Sequence, residues 1–577
     1  MKEIEFKVNE SKVKERGVKT YVYTDEKKSY VGNIEIDDDV ETLILGLNHD
    51  ETIYDLMKVD KTFPNVKSLV IMPDVSDIKI KNKMFPNVRT VISYSPKYLT
   101  SKYLMKTMNH TFKAELVNSF CLNEYEELDL KGIISIQAFA LDGCMANTIS
   151  FNKKSYIIRK QAFEGSVYEK EPFVNGVKAY HGFMFDIDKN ANEIVFDSGM
   201  NLNFIDGSDK FVEKLIIKNE DLLNAATFFS VLSNIKANHL CIGRKMSFGI
   251  RYLIEICEQV KAHFVDLLEP MVGYSSHDGI LYTNKGKELC YIPKDRTEAA
   301  VIPEGVQVVR ETSCVKTNIS SIEFPKSLEV IQQNSFWGSN VSSVILKGKT
   351  KIKSLSFSKC HNLCHLVLPE IDNIAYKSFY DCPSLNSVAI PKSVKKIEPG
   401  NFKYASDYTI EGDKIPNGLF TSEKFSYIKC ILDNDFISLN YKNNCLYIPF
   451  CVRYDKISSL KNLLEQGMVE GFFEFTEDNN VKLDTAIAEA IYTNSKKARN
   501  YIRRSGKQLL KRYFSREENQ LEIKRETLLK LIENDLMTDM TLTILIRNIS
   551  ENKDIDLTLK AYALDKLENA KRRGFSL

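Results

Sequence analysis

The stretch CPSLNSVAIPKSVKKIEPGNF, residues 382–402, determines the fold of this chain. Val388 and Ile390 are two residues apart, so both side chains point to the same side of a short strand. Pro391 ends the strand, because proline has no backbone N–H to give to the next ladder bond. Ile397 and Phe402 follow, five residues apart, on a returning, turn-rich segment. The stretch therefore predicts a single coil with one apolar side.

The apolar positions of this coil recur with a period of about 22 residues. The recurring residues form four rows: Ile319, Val341, Leu363 and Leu385; Ile322, Val344, Leu366 and Val388; Phe324, Leu346, Leu368 and Ile390; and Phe336, Phe357, Phe379 and Phe402. One coil cannot bury its apolar side alone, so the coils must stack and the rows become continuous ladders. The sequence therefore predicts a strand-rich repeat solenoid.

This pattern resembles the BspA-type leucine-rich repeat, in which Cys-x-x-Leu-x-x-Val-x-Ile-Pro is followed by Ile-x-x-x-(Ala/Ser)-Phe. The resemblance is strongest over 300–403, and the segment 278–306 is similar to the hairpin that leads into such runs. Less faithful copies lie upstream, where QAF occurs at 137–139 and 161–163. The resemblance implies a leucine-rich-repeat fold and a role in adhesion or protein interaction.

The pattern divides the chain into five predicted segments. These are degenerate N-terminal repeats over 1–175, irregular repeats with insertions and hairpins over 176–290, regular repeats over 291–405, a mixed strand connector over 406–455 and a helical domain over 456–577. Within the irregular segment, helices are predicted around 219–233 and 248–268.

The helical domain is predicted from a change of period. After Phe402 the ladder residues stop, and from about residue 455 apolar residues recur at i, i+3 and i+4. The predicted helices cover 456–467, 483–504, 506–514, 522–534, 537–549 and 555–573. Asp484 and Asp556 are predicted as N-caps. Short helices with short loops favour helical hairpins of an ankyrin or HEAT kind.

Composition favours a protein that stays in the cytoplasm. The 577 residues include 79 basic and 77 acidic side chains, a net charge of +2 that favours neither nucleic acid nor membrane. The N-terminus has no apolar core typical of a signal peptide, and no apolar run of 18 residues predicts a spanning helix. The 12 cysteines are then expected as reduced thiols. The abundance of Lys, Ile and Asn suggests an AT-rich bacterium or one of its phages.

Motifs that carry chemistry are few. Cys360, His361, Cys364 and His365 offer two thiolates and two imidazoles, which could hold zinc. Cys360 and Cys382 are 22 residues apart, however, so Cys360 is predicted to be a buried repeat residue rather than a ligand. We find no nucleotide-binding, metalloprotease or serine-hydrolase motif, so we predict no enzyme activity, no metal and no cofactor.

Two surfaces are predicted to bind partners. On the strand face, the residues between the ladder positions point outward, and Ile345 and Val367 are apolar there, with Glu323 and His365 beside them. A covered strand would explain the same apolar residues. The second surface is the basic run 496–516, where we single out Arg499, Arg503, Arg504, Lys507, Lys511 and Arg512. Much of this charge shares a helical face and could hold phosphates or an acidic protein, or could be an ordinary solvated face.

The sequence thus predicts an intracellular protein-binding scaffold, or an inhibitor or sensor, acting through the leucine-rich-repeat surface. A role in phage–host conflict is a further hypothesis. One alternative is a nucleic-acid-associated protein that uses residues 496–516. The other is an enzyme whose site lies in 176–290 or 405–455.

Overall fold

The computed structural model divides the chain into two compact units, 1–272 with 276–279, and 273–275 with 280–577. The described residues are 9–15, 17–24, 27–47, 51–107, 113–152, 155–206, 209–218, 232, 234–243, 250–269, 273–283, 285–368, 370–420, 436–450, 452–514, 521–551 and 557–574. None of the helices in this part of the chain is both long and apolar enough to cross a membrane.

The first unit consists of short strands in stacked coils. Its strands are Asn9–Glu15 (β1), Val18–Thr24 (β2), Ser29–Ile36 (β3), Thr42–Leu45 (β4), Thr52–Asp55 (β5), Ser68–Ile71 (β6), Val75–Lys79 (β7), Thr90–Ser93 (β8), Leu104–Thr107 (β9), Ala114–Asn118 (β10), Glu127–Asp129 (β11), Ile133–Ile136 (β12), Thr148–Ser150 (β13), Ile157–Ile158 (β14), Val177–Tyr180 (β15), Phe183–Ile187 (β16), Glu193–Phe196 (β17), Phe204–Ile205 (β18), Lys210–Ile217 (β19), Ile235–Ile242 (β20) and Phe264–Leu267 (β21). Short 3-10 turns lie at Asn82–Met84 and Val167–Lys170.

These strands form ladders on two sides of the coils. Strands β4, β6 and β8 form one parallel ladder, and β3, β5 and β7 form another. Further along, β17, β19, β20 and β21 form a parallel sheet, and the helix Ile250–Val260 (α1) buries Leu253 and Cys257. The predicted helix 248–268 is therefore too long, because its last part is strand β21. The predicted helix 219–233 lies almost entirely outside the described residues.

The second unit contains the regular repeats. Its strands are Ile280–Thr283 (β23), Glu288–Tyr291 (β24), Ala300–Val301 (β25), Val308–Val309 (β26), Ser321–Phe324 (β27), Val330–Ile331 (β28), Ser343–Leu346 (β29), Lys351–Ile352 (β30), His365–Val367 (β31), Asn373–Ile374 (β32), Ser387–Ile390 (β33), Lys396–Ile397 (β34), Asp407–Ile410 (β35), Phe436–Tyr441 (β36) and Asn444–Pro449 (β37), with Tyr274–His277 (β22) at the division of the units. Strands β25, β27, β29 and β31 form the outer strand ladder, and β26, β28, β30, β32 and β34 form the return ladder.

The predicted rows are the core of this unit. The rings of Phe336, Phe357, Phe379 and Phe402 lie in one stack, with successive centroids 4.8, 5.4 and 5.2 Å apart. A buried serine precedes three of these rings, and its hydroxyl donates to the carbonyl three residues earlier at 2.5–2.8 Å, as in Ser335 and Ser378. This bond satisfies the hydroxyl locally, so a polar residue can lie beside the ring stack.

The ladder continues past Phe402, contrary to the prediction. Val388 lies beside Tyr408, and Tyr408 lies beside Leu439, so β33, β35 and β36 form one parallel sheet that ends in the hairpin β36–β37. The period is lost because Tyr408 and Leu439 are 31 residues apart along the chain, whereas Val388 and Tyr408 are 20 apart.

The helical region follows this hairpin. Its helices are Ile457–Glu465 (α2), Asn479–Tyr492 (α3), Lys496–Arg504 (α4), Gly506–Tyr513 (α5), Leu521–Glu533 (α6), Asp539–Glu551 (α7) and Leu557–Gly574 (α8), with 3-10 turns at Tyr454–Lys456 and Phe472–Phe475. Leu460, Leu464 and Phe472 belong to the hydrophobic core of the solenoid. Helix α2 and the 3-10 turn Phe472–Phe475 therefore cover the C-terminal end of that core. Helices α3 to α8 have a core of their own, including Ile502 and Leu545.

Two predictions about helix ends are wrong, and a third concerns a residue outside the part of the chain that the structure describes. The predicted helix 483–504 is two helices, because Asn494 has a positive φ of 56° and Ser495 caps α4 by accepting the Ala498 N–H. Asp478, not Asp484, caps α3. Asp556 lies outside the described residues.

Candidate functional site

The outer strand ladder of the second unit places an apolar row on its surface. Val301 lies beside Glu323, Glu323 beside Ile345, and Ile345 beside Val367, each pair on neighbouring strands. Their side chains point away from the core because Ile322 and Val344, which alternate with them, are buried. Val301 is 61% exposed, Val367 is 38% exposed, and Ile345 is half-buried. The structure therefore brings Glu323, Ile345 and Val367 into one line.

Polar partners surround this row. Glu323 forms an ion pair with Lys347, which offsets the only formal charge in the row. His365 lies in the neighbouring row and its Nδ1 is 2.9 Å from the Ser343 hydroxyl. The arrangement is an apolar line with hydroxyl and imidazole groups along one side. It can bury apolar atoms of a partner and hydrogen-bond to its edge.

Sequence reasoning missed two parts of the strand faces. Val301 belongs to a coil whose motif is incomplete, and only its pairing with Glu323 reveals its position. In the first unit, Ile44, Val70 and Ile92 lie side by side on β4, β6 and β8 and also point outward. Ile44 and Ile92 are 37% and 39% exposed. The alternation of FPNVKSLVI and FPNVRTVIS, at 63–71 and 85–93, was the available signal for this second row.

The basic stretch is largely engaged inside the helical region. Arg499 donates to the Asn534 carbonyl at 3.1 Å, and Arg503 donates to the Asp535 carbonyl at 2.9 Å. Arg512 makes a bidentate pair with Asp484 at 2.6 and 2.7 Å. These arginines fix helices to one another. Arg504, Lys507 and Lys511 are exposed, so half of the predicted surface remains available.

The possible zinc ligands predicted from the sequence do not lie together. They are Cys360, His361, Cys364 and His365. The Cys360 thiol is buried and lies 3.2 Å from the Phe336 carbonyl, and burial raises its pKa. Cys364 is exposed and its Sγ is 3.5 Å from the Ser342 carbonyl. His361 lies 3.6 Å from Asp381, whereas His365 contacts Ser343. Among the described residues, no group of three or more His, Cys, Asp or Glu side chains could hold a metal ion.

A polar cleft in the first unit is the place where catalysis would be sought in 176–290. It has a volume of about 210 Å³ and is lined by Phe163, Lys178 and Asp186, among others. Burial raises the pKa of the Asp186 carboxyl, which accepts the Ile187 N–H at 2.8 Å. Lys178, its cross-strand neighbour, instead donates to the Glu169 carbonyl. The residues that line the cleft include no Ser, Thr, Cys or His side chain that Asp186 could activate.

The coils, ladders and ring stack define a leucine-rich-repeat solenoid. A family model described as the BspA type leucine rich repeat region matches residues 117–219 and 289–409 in six copies. The repeats over 117–219 and 289–409 are therefore BspA-type leucine-rich repeats. No curated protein matches the sequence.

Several solved structures are similar to the chain. The pneumococcal vaccine antigen PcpA is 14% identical over 72% of this chain and 91% of its own, with a TM-score of 0.25. A leucine-rich-repeat protein of T. pallidum is 22% identical over 27% of this chain and 78% of its own, with a TM-score of 0.22. A leucine rich cell surface protein of Faecalibacterium prausnitzii is 12% identical over 75% of this chain and 95% of its own, with a TM-score of 0.22.

Proposed function

We propose that this chain is a protein-binding scaffold that uses the outer strand face of its second unit. The observation that carries the proposal is the row Val301, Glu323, Ile345 and Val367, with its apolar side chains on solvent-facing positions of adjacent strands. Neighbouring strands are about 4.8 Å apart, so the row is a regular apolar line. Fully burying an exposed aliphatic side chain contributes about 1.5–3 kcal/mol, and these partly exposed side chains contribute only in proportion to the area still exposed, so the row is one part of a larger interface.

The partner that fits this face is a protein with an apolar ridge and few charges. Glu323 is already paired with Lys347, so a charged partner would gain little there. Ser343 and His365 provide hydrogen-bonding groups at the edge of the row. We also propose that partner and scaffold meet inside the cell, because exposed thiols such as Cys364 and Cys445 suit a reducing compartment.

Nucleic-acid binding and phage–host conflict are not part of the proposal. Arg499, Arg503 and Arg512 hydrogen-bond within the helical region, which leaves fewer cations for phosphates than the sequence suggested. No observation of this chain speaks for a role in phage–host conflict.

The experiment introduces a photo-crosslinking residue at Val367 and identifies what it captures from native host cells. The affinity of the captured protein is then measured by calorimetry with Ile345→Asp and Val367→Asp. We expect each substitution to weaken binding at least tenfold, with little change in salt dependence, because the contact would bury a carboxylate against apolar atoms of the partner. Val367→Thr keeps the shape of the side chain and should weaken binding less than Val367→Asp.

A reversal of the exposed cations provides the matched control. Arg504→Glu, Lys507→Glu and Lys511→Glu change charge in the helical region and should leave binding unaltered. Loss of binding in this triple variant, with no effect of Ile345→Asp, would place the contact on the helical region and refute the proposal.

A further inference from the structure

The regular repeats between Cys314 and Tyr404 carry a positive net charge larger than that of the whole chain. From Cys314 to Tyr404 the sequence has 12 lysines, no arginine and 6 acidic residues, a net charge of +6 against +2 for the whole chain. Local excess charge of one sign attracts a partner of the other sign. Lysine without arginine provides point charges rather than the planar forks that grip phosphates in two places.

Four of these lysines lie on one ridge, at the turns on either side of the phenylalanine stack. Each ammonium lies over an aromatic ring: Lys316 and Lys359 over Trp337, 5.6 and 5.2 Å from the ring centroid, Lys377 over Tyr376 and Tyr380, both at 5.0 Å, and Lys403 over Tyr404, at 5.3 Å. We call these four lysines and their rings the lysine ridge. A cation over a ring face is attracted by the ring quadrupole, so these ammonium groups are held in place.

A glycine in the next coil makes room for one of the lysine stems. A Cβ atom on Gly400 would lie 2.5 Å from Lys377 Cγ, so the Lys377 stem packs across the neighbouring turn. A Cβ atom on Gly338 would lie 3.5 Å from Lys316 Cγ, an ordinary contact distance. Ordering a free lysine on binding costs side-chain entropy, and a stem that is already packed avoids much of that cost.

Three of the four ridge lysines are short of counter-charges. Lys316, Lys359 and Lys403 have no carboxylate oxygen within 4.0 Å among the residues that the structure describes. Asp381, the acidic residue on the ridge, accepts the Tyr404 hydroxyl at 3.0 Å and lies 3.6 Å from His361. In the first unit, by contrast, Lys83 also packs across a glycine but pairs with Asp142 at 2.7 Å.

We propose that the lysine ridge binds an extended acidic peptide segment of a partner protein. Lys316 and Lys359 are two coils apart, about 10 Å at one strand spacing per coil, and three residues of an extended peptide also advance about 10 Å. Side chains alternate in a strand, so the segment that matches the ridge is one in the extended polyproline-II conformation, in which every third residue faces the same side, with an acidic residue at every third position. Single-stranded nucleic acid stacks its bases on aromatic faces, and the Trp337 ring already has two ammonium groups over it.

The single tryptophan of the chain makes the test direct. Trp337 lies at the centre of the ridge, so its fluorescence reports binding there without a label. The full chain is titrated with octaglutamate, and the anisotropy of fluorescein-labelled octaglutamate provides a second readout. We expect a saturable change in both signals that weakens as salt rises, because screening shortens to about 8 Å at physiological ionic strength. Octaglutamine should produce neither signal.

Matched variants separate the ridge from net charge. Lys316→Gln with Lys359→Gln removes two ridge cations and should raise the dissociation constant of octaglutamate at least tenfold. Lys349→Gln with Lys396→Gln removes two lysines that pair with Asp372 and Glu398, and should change it less than twofold. Ile345→Asp should leave octaglutamate binding intact, so the ridge and the strand face succeed or fail separately.

Three outcomes would overturn the proposal. One is no saturable signal with octaglutamate at low salt. Another is an equal loss in both lysine pairs, which would indicate an effect of net charge alone. The third is tighter binding of oligothymidylate or heparin than of octaglutamate at the same ionic strength, which would assign the ridge to a different class of polyanion.

Discussion

Removal of one ring from the phenylalanine stack should destabilise the repeats strongly. Phe357 is fully buried, and its ring stacks on Phe336 at 4.8 Å and on Phe379 at 5.4 Å. Phe→Ala in a core costs about 3–5 kcal/mol from lost transfer free energy and the cavity left behind. Each aromatic pair adds about 0.5–1.5 kcal/mol, and Phe357 loses two of them. We therefore expect Phe357→Ala to cost about 4–5 kcal/mol, near the top of the range.

Urea unfolding followed by Trp337 fluorescence measures this loss where it occurs. Trp337 directly follows Phe336 in the adjacent coil, so its signal follows the coils beside the cavity even if distant repeats unfold separately. Tyr125→Ala is the control, because it removes an aromatic ring that is 90% exposed and should change stability by less than about 0.5 kcal/mol. A loss below about 1 kcal/mol for Phe357→Ala would mean that the ring is not in a packed ladder.

Three other predictions concern buried polar groups and metal. Glu489 is fully buried and accepts the Gly471 and Phe472 N–H groups at 2.8 and 2.6 Å, while burial raises its pKa to about 7. The pKa of Glu489 in the unfolded chain is near 4.5, so between pH 4.5 and about 7 the folded state binds more protons than the unfolded state. The free energy of unfolding should therefore fall as the pH rises through this range. Urea unfolding of Glu489→Gln, measured across the same pH range, should lack that fall. Arg512→Ala should cost about 1.5–3 kcal/mol in thermal unfolding, and a double-mutant cycle with Asp484→Ala should assign most of it to the pair; additive losses would contradict the pairing. Elemental analysis of the purified protein should find no stoichiometric zinc, and one zinc per chain that disappears with Cys364→Ser would contradict our account of the possible zinc ligands.

The inner rows of the regular repeats could be predicted because stacking makes each coil repeat the last. Ile322, Val344 and Leu366 are buried and lie in register, as the 22-residue spacing required. The same logic failed where the spacing changed. Tyr408 and Leu439 continue the ladder, but the unequal lengths of chain between coils hide this from any search for a fixed period.

The surfaces were harder to predict because exposure and pairing depend on distant residues. Ile345 and Val367 could be assigned to the outer face from alternation alone. Arg512 pairs with Asp484, 28 residues away, because of how two helices pack. No spacing in the sequence predicts this pair. The lysine ridge was missed for a related reason, since Lys316 and Lys359 are neighbours of Trp337 only once three coils are stacked.

The central claim is that each coil has a buried inner side and an accessible outer side, and the native cysteines test it without any mutation. Cys314, Cys360 and Cys382 are buried, and burial raises the pKa of each thiol, whereas Cys364 and Cys445 are exposed. Alkylation of the native protein with iodoacetamide, resolved by residue in mass spectrometry, should modify the exposed pair quickly. The buried thiols react only after local unfolding, and an opening cost of about 3 kcal/mol would slow them more than a hundredfold. Equal labelling rates at Cys360 and Cys364, four residues apart in one coil, would contradict the account.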